Sequence, residues 1–442
     1  MKNKIIFPVI FILYCSTSFS QNFNKAKMDS LFAILAEKNK AMGSVAISKN
    51  GQMVYCNAIG YASINGNEKI PATIQTKYRI GSITKMFTTV IIFQLAEEKK
   101  LSLDDKLEKY FPSIPNAAKI TLGDLLSHRS GLHNFTDDSL YFTYNNRPKT
   151  QKEMLDIISL SAPDFEPGSK AEYSNTNFVL LGYIAEKITG ASYSQLVKRR
   201  ITSKLNLTDT YVAGKTDIKN NESYSYRFIK DWEQETETDM SVPAGAGSII
   251  STPSGLVKFI EALFTYKLVT APSLEQMKKI KDGYGMGILQ IPFYNRIAFG
   301  HNGRIDGYES TLCFFPEDSV AIAYCTNGQV YPMNNILIGI LSIYFNRPYT
   351  IPSFNTISLI NNDLDKFQGV YSSIQIPLKI TITKENNSLS AQATGQPAFP
   401  LEAVEKDIFK FDPAGIVMKF NPEKNEFTLQ QGGKNYLFTK GH

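Results

Sequence analysis

Apolar positions follow three successive patterns along the chain. Met28, Leu31, Phe32 and Leu35 recur at helical spacing within 26–39. Two strand-like runs follow, Gly43 to Ser48 and Gln52 to Ala58. Asn50-Gly51 between them is the strongest short signal for a β-hairpin. Beyond Ser82 the spacing turns helical again through Ile83, Met86, Phe87, Val90 and Ile91, which predicts a buried amphipathic helix running to about Lys99. Further helices are expected over Thr121 to His128, Gln151 to Leu160, Asn175 to Lys187 and Tyr193 to Leu205. Gly190 is placed as a helix-ending glycine. Residues of roughly 90 to 240 therefore read as an α subdomain.

Strand character returns over Gly283 to Ile291, Arg296 to His301, Glu309 to Phe315 and Ser319 to Thr326, and a helix is expected over Val330 to Phe345. Joined to the early hairpin, these runs predict one antiparallel sheet made from both ends of a domain, with helices inserted between. That is an α/β fold with a crevice between sheet and α block, where ligand pockets tend to form. Asn346-Arg347-Pro348 opens a linker. Past Leu364 the pattern shortens to alternating runs, Leu378 to Thr383, Leu389 to Ala393, Ile408 to Phe411, Ile416 to Phe420, Glu426 to Leu429 and Asn435 to Phe438. Their spacing suggests a small all-β barrel or sheet.

Length allows two or three domains. The amino terminus changes that count. Lys2 and Lys4 precede an apolar run from Ile5 to Cys15, with small residues at Ser18 and Ser20, which reads as a secretory signal peptide cut after Ser20. Cys15 leaves a lipidated alternative open. The run is short for a membrane span, so an exported chain, periplasmic or secreted, is expected with no stable span after cleavage. The full chain has 47 Lys and Arg against 41 Asp and Glu, and loss of Lys2 and Lys4 lowers the net charge from +6 to +4. With no basic cluster interleaved with aromatics, nucleic acid is not an expected partner. Cys56, Cys313 and Cys325 all lie in apolar runs, so no essential disulfide is expected, with a Cys313 to Cys325 bridge as the alternative. The four histidines, His128, His133, His301 and His442, show no metal-ligand spacing. No metal or organic cofactor is expected.

Three stretches carry candidate chemistry. In Gly81-Ser82-Ile83-Thr84-Lys85, Ser82 and Lys85 are three apart at a helix start, so they share a face near free backbone N–H groups. Tyr173-Ser174-Asn175 sits at a loop-to-helix junction. There a Tyr hydroxyl can relay a proton once a cationic Lys lowers its pKa, and an Asn amide can hold a substrate amide. His301-Asn302-Gly303-Arg304 ends a strand, and Gly303 would let backbone approach a ligand closely. Asp306-Gly307 marks a turn. Tyr141, Tyr144, Tyr224 and Tyr226 fall in loops that can line the crevice.

Taken in order, Ser-x-x-Lys, Tyr-x-Asn and His-x-Gly resemble the serine β-lactamase and penicillin-binding protein superfamily. The likeness is to class C β-lactamases, D-alanyl-D-alanine carboxypeptidases and their esterase relatives. It extends over about residues 25 to 345, through Leu122 to Leu132, Glu166-Pro167-Gly168 to Gly182, Gly245-Ala246-Gly247-Ser248 and Ser251-Thr252-Pro253-Ser254. The resemblance implies Ser82 as nucleophile, Lys85 and Tyr173 as the proton-transfer pair, and substrate-binding roles for Asn175, His301, Gly303 and Arg304. The oxyanion would be held by the backbone N–H groups of Ser82 and Arg304. His128 and His133 belong to a family phrase and are expected to be structural.

The domains implied are a signal peptide (1–20), a β-lactamase-like serine hydrolase (21–345), a linker (346–363) and a lipocalin-like β domain (364–442). The substrate would be a peptidoglycan-like D-peptide, an ester or a β-lactam. Many β-lactam specialists place Lys where His301 stands, and a neutral imidazole is a weak carboxylate partner. A D-alanyl-D-alanine carboxypeptidase or esterase is therefore favoured over a β-lactamase. A penicillin-binding sensor without turnover is the alternative from another class.

Overall fold

Asn50 and Gly51 both adopt left-handed backbone (φ 52° and 76°), and this two-residue turn folds the strand Ala41–Lys49 back on Gln52–Ile59 with Lys49 opposite Gln52. The computed structural model describes residues 23–441 apart from positions 230, 355, 358, 360, 386, 387, 397 and 432. The expected signal peptide lies outside the described residues. Ala41–Lys49 also pairs with Val320–Gln329, so strands from the two ends of the domain meet at the middle of one sheet. The full order is Leu289–Phe293, Arg296–Ile305, Tyr308–Phe315, Val320–Gln329, Ala41–Lys49 and Gln52–Ile59, every pair antiparallel.

Both faces of the sheet are covered, which explains why its strands read as apolar runs as well as alternations. Helices Lys25–Glu37 and Met333–Tyr344 pack on one face through Met28, Phe32 and Ile340. On the other, Thr84–Glu97 and Pro253–Phe264 join a larger core, with Phe87 stacked on Phe259 at 3.8 Å. Cys313 packs into the first core and Cys325 into the second, both as free thiols on opposite faces of the sheet.

Several elements differ from the sequence expectation. Gly283 to Ile288 is turn, and its strand begins only at Leu289. Gly283 and Gly287 hold φ of +87° and +64°, which no strand accommodates. The strand expected to stop at His301 runs on to Ile305, so Gly303 and Arg304 are paired strand residues opposite Ser310 and Glu309. Regular helix in the α block ends earlier than expected. Tyr193–Val197 passes into one π-turn, Lys198–Thr202, and short strands such as Tyr211–Val212 and Trp232–Gln234 follow. Tyr226 is buried against Met42 and Trp232, not in a crevice. Gly190 does end its helix in the left-handed conformation (φ 67°).

The carboxy-terminal runs close into an eight-stranded antiparallel barrel, each strand pairing with the next and Gly369–Ser372 closing on Lys434–Lys440. Two strands escaped the sequence pattern, Gly369–Ser372 and Phe399–Glu405, because neither carries a clean apolar alternation. Phe367, Tyr371, Phe409, Met418, Phe420, Phe427 and Phe438 fill the interior as one cluster. Among the described residues no helix is long and apolar enough to cross a membrane.

Candidate active site

The helix Thr84–Glu97 does not have the expected polar face. Every residue from Thr84 to Leu95 is buried, and six of them are β-branched, so packing and not propensity holds it helical. Its threonines turn inward: Thr89 Oγ1 donates to the Lys85 carbonyl one turn back at 2.9 Å. Ahead of it a single 3₁₀ turn, Gly81–Ile83, carries Ser82. Gly81 sits at φ +49°, and a Cβ there would lie 2.8 Å from the backbone N of Arg304. Only glycine satisfies both demands.

This close approach brings the three candidate stretches together. Lys85 Nζ lies 3.0 Å from Ser82 Oγ, 2.7 Å from Asn175 Oδ1 and 2.9 Å from the Ala246 carbonyl. The Tyr173 hydroxyl donates to Ser82 Oγ at 2.5 Å. Lys85 is fully buried, and burial pushes its ammonium well below the ordinary lysine pKa. As placed, Nζ donates to the Ser82 hydroxyl and to both carbonyl oxygens; once it loses a proton its lone pair can accept only from Ser82, because the carbonyls of Asn175 and Ala246 only accept. The arrangement can thus draw the proton from Ser82 without a histidine.

Tyr173 departs from expectation. Burial raises its pKa, and Lys85 does not lower it; the Lys85 ammonium position lies 4.8 Å from the ring centroid, over the ring. The phenol therefore stays protonated and serves as a donor. Its ring is held by His128, packed against it with centroids 4.6 Å apart, which itself meets Tyr284 at 5.1 Å. His128 Nδ1 accepts the Ser174 N–H at 3.2 Å, and burial lowers its pKa well below the ordinary value. Its role in the structure is support beneath Tyr173.

Asn175 opens the helix Asn175–Thr189, with its own N–H donated to Asn134 Oδ1 at 2.9 Å and Nδ2 to Thr136 Oγ1 at 3.1 Å. Its Oδ1 is engaged by Lys85. His301 is buried beside Tyr173, ring centroids 6.4 Å apart. Its Nδ1 must donate to the Asn302 carbonyl at 2.5 Å, which leaves Nε2 as an acceptor. Burial, and then Lys85, depress its pKa to about 4, so the ring is neutral at pH 7.

Gly303 is needed for a different reason from the one expected. A Cβ there would run into the Ile80 carbonyl oxygen, so the glycine admits the neighbouring backbone and not a ligand. Arg304 presents its backbone to Gly81, while its side chain is 79% exposed with Glu309 at 3.7 Å. Asn134, Thr136 and Tyr284 were not foreseen. Tyr284 alone left a local trace, standing between Gly283 and Gly285 in a stretch too glycine-rich for a strand. A cavity of about 950 Å³ reaches the 244–248 segment at Ala244 and Ser248, but Ser82, Lys85, Tyr173, Asn175 and His301 do not line it.

The family model described as Beta-lactamase matches residues 29–338. Along 94% of its length the chain is 27% identical to a penicillin-binding protein of Bacillus subtilis (strain 168), covering 96% of that protein. It is also 28% identical over 270 residues to the teichoic acid D-alanine hydrolase of Staphylococcus aureus (strain NCTC 8325 / PS 47), covering 60% of this chain and 66% of that one. Among solved structures, the D-amino acid amidase from Ochrobactrum anthropi SV3 with bound D-phenylalanine superposes with a TM-score of 0.65 at 26% identity, over 73% of this chain and 99% of that one.

Proposed function

Because the chain belongs to the beta-lactamase family and is a serine hydrolase, we propose that it cleaves D-aminoacyl peptides or esters through an acyl-enzyme on Ser82. The observation that carries this reading is the buried Lys85, its pKa pushed down by burial, with Nζ 3.0 Å from Ser82 Oγ. In acylation Lys85 takes the Ser82 proton as Oγ bonds to the carbonyl carbon, and the oxyanion is held by the N–H groups of Ser82 and Arg304. Donors of this kind contribute on the order of 3 kcal/mol each. The leaving alcohol or amine departs with a proton passed through Tyr173. In deacylation the Tyr173 hydroxyl relays a proton from water to Lys85 as the water oxygen adds to the acyl carbon, and that proton passes to Ser82 Oγ as its bond to the acyl carbon breaks and the acid leaves.

Asn175 orients the substrate amide from beside Lys85, and His301 stands on the strand opposite, which Gly303 lets approach the turn before Ser82. His301 decides among substrates. A neutral ring with Nε2 as acceptor cannot bind a carboxylate, so substrates without a carboxylate at that position fit best. This disfavours β-lactams and ranks D-aminoacyl esters and amides above them. The relatives named for D-alanine and D-amino acid hydrolysis support the same class. The apolar segment after Lys2 and Lys4 supports export.

The test is a parallel assay of wild type and Ser82→Ala with a D-alanyl ester, a D-Ala-D-Ala peptide and a chromogenic cephalosporin. Turnover of the ester by wild type alone is expected, with slower turnover of the D-Ala-D-Ala peptide, which carries a free carboxylate. Fluorophosphonate labelling that persists in Ser82→Ala would refute Ser82 as nucleophile, and preferential turnover of the cephalosporin would refute the substrate class.

A further inference from the structure

We propose that Asp306 is a positioning residue that, through a buried pairing with Arg79, fixes the separation of the Ser82 and Arg304 N–H groups. The proposal rests on the oxyanion assignment above.

Arg79 lies three residues before Ser82, and Asp306 two after Arg304, so the pair spans the two elements that carry the donors. Their side chains are 1% and 4% exposed, with Arg79 Nη1 3.3 Å from Asp306 Oδ2. The same Nη1 donates to the Thr238 carbonyl at 2.8 Å, while Nη2 reaches the Gly214 carbonyl at 3.1 Å and Glu237 at 2.6 Å. Asp306 is tied in turn to Thr238, accepting from its hydroxyl at 2.6 Å and its N–H at 3.2 Å.

Two kinds of force act between the strand Arg296–Ile305 and the turn before the helix. Steric contact at Gly81 and Gly303 sets how near they can come. It does nothing to hold them together. Attraction across the junction comes from the Ser310 hydroxyl, donated to the Ile80 carbonyl at 2.9 Å, and from the Arg79 and Asp306 charges. Contact fixes the lower limit of the donor spacing, and the pair fixes the upper.

Turn geometry alone does not require this carboxylate. Asp306 and Gly307 make the two-residue turn between Ile305 and Tyr308, with Asp306 at φ 51°. Asparagine tolerates that conformation equally well. Asp306→Asn therefore keeps the turn and its size while removing the charge that attracts Arg79. Glu237 supplies a natural control. It binds the same guanidinium but stands on a loop, outside the sheet that carries Arg304.

The experiment uses the full chain, with sites counted by fluorophosphonate labelling so that misfolded protein drops out. The readouts are the acylation rate with a nitrophenyl ester and affinity for a boronic acid, whose tetrahedral adduct places an oxygen between the two donors. In Asp306→Asn both should fall by about a hundredfold, the cost of misplacing a reacting geometry by about 1 Å. KM should move less than about threefold, as for an interaction made only in the transition state. Arg79→Lys, which keeps charge but loses the fork, should show the same split. Combining the two substitutions should add little, and Glu237→Gln should stay close to wild type. Unchanged acylation and boronate affinity in Asp306→Asn, additive losses in the double variant, or an equal loss in Glu237→Gln would overturn the proposal. Wild type that fluorophosphonate fails to label at Ser82 would refute the site assignment instead.

Discussion

Lys85 is fully buried, and its chemistry follows from that. The pKa is depressed by burial, so the amine becomes a base at lower pH than an ordinary lysine. With a nitrophenyl ester, kcat/KM should rise with pH as Lys85 loses its proton and reach a plateau below the ordinary lysine range. A profile still rising near pH 10 would mean that Lys85 titrates as in water. Tyr173→Phe keeps the ring against His128 but removes the donor to Ser82, and should lower kcat by about 100-fold or more. Full turnover in that variant would end the assignment of proton transfer to Tyr173. His301 has a stability consequence as well. Its folded pKa of about 4 lies below the unfolded value near 6.5, so the unfolded chain binds the proton first as pH falls. Stability present above pH 6.5 should be lost toward pH 4, by at most about 3 kcal/mol. Melting curves of wild type and His301→Gln at pH 7 and 4.5 test this, the variant being expected to lose less.

Elements explain which parts of the site could be read from sequence. Ser82 and Lys85 were legible because their relation is local, three residues on one turn. Asn50-Gly51 and Gly190 were legible for the same reason, since a backbone conformation leaves its mark on the residue that adopts it. What joins Ser82 to Tyr173 and Arg304 spans 91 and more residues, and only the order of motifs hinted at it. Asn134, Thr136 and the partnership of Arg79 with Asp306 left no local pattern at all. Gly303 shows the same limit from the other side: the glycine was visible, but its neighbour, the Ile80 carbonyl, was not. Gly303→Ala should force the strand away from the turn. A cost of about 1–3 kcal/mol is typical of such overpacking. The expected result is a lower melting temperature together with slow fluorophosphonate labelling of Ser82; labelling at the wild-type rate would show that the strand can shift without disturbing the site.

At the scale of the whole molecule, Lys40 ties the barrel to the sheet. Lys40, just before the strand Ala41–Lys49, has a side chain 9% exposed and pairs with Asp412 at 3.0 Å and Glu402 at 3.3 Å, both from the barrel. Its carbonyl accepts the N–H groups of Val330 and Tyr331, where the sheet hands over to the helix Met333–Tyr344. The barrel's interior is packed with its own aromatics, so its weight falls on the side of a structural module over a ligand carrier. Asp412 is only 13% exposed, and removing Lys40 would strand its charge. Breaking a well-buried pair costs about 3–5 kcal/mol, and partial exposure of Glu402 brings the expectation here to the low end or below. Lys40→Met should therefore loosen the barrel without touching Ser82, Lys85 or Tyr173. Calorimetry should show an earlier or split transition, while kcat with the ester at 25 °C stays within about twofold, as for a substitution far from the reacting atoms. An unsplit, unshifted transition would mean that the barrel is held by its apolar contacts, and a fall in kcat would mean that it helps shape the site.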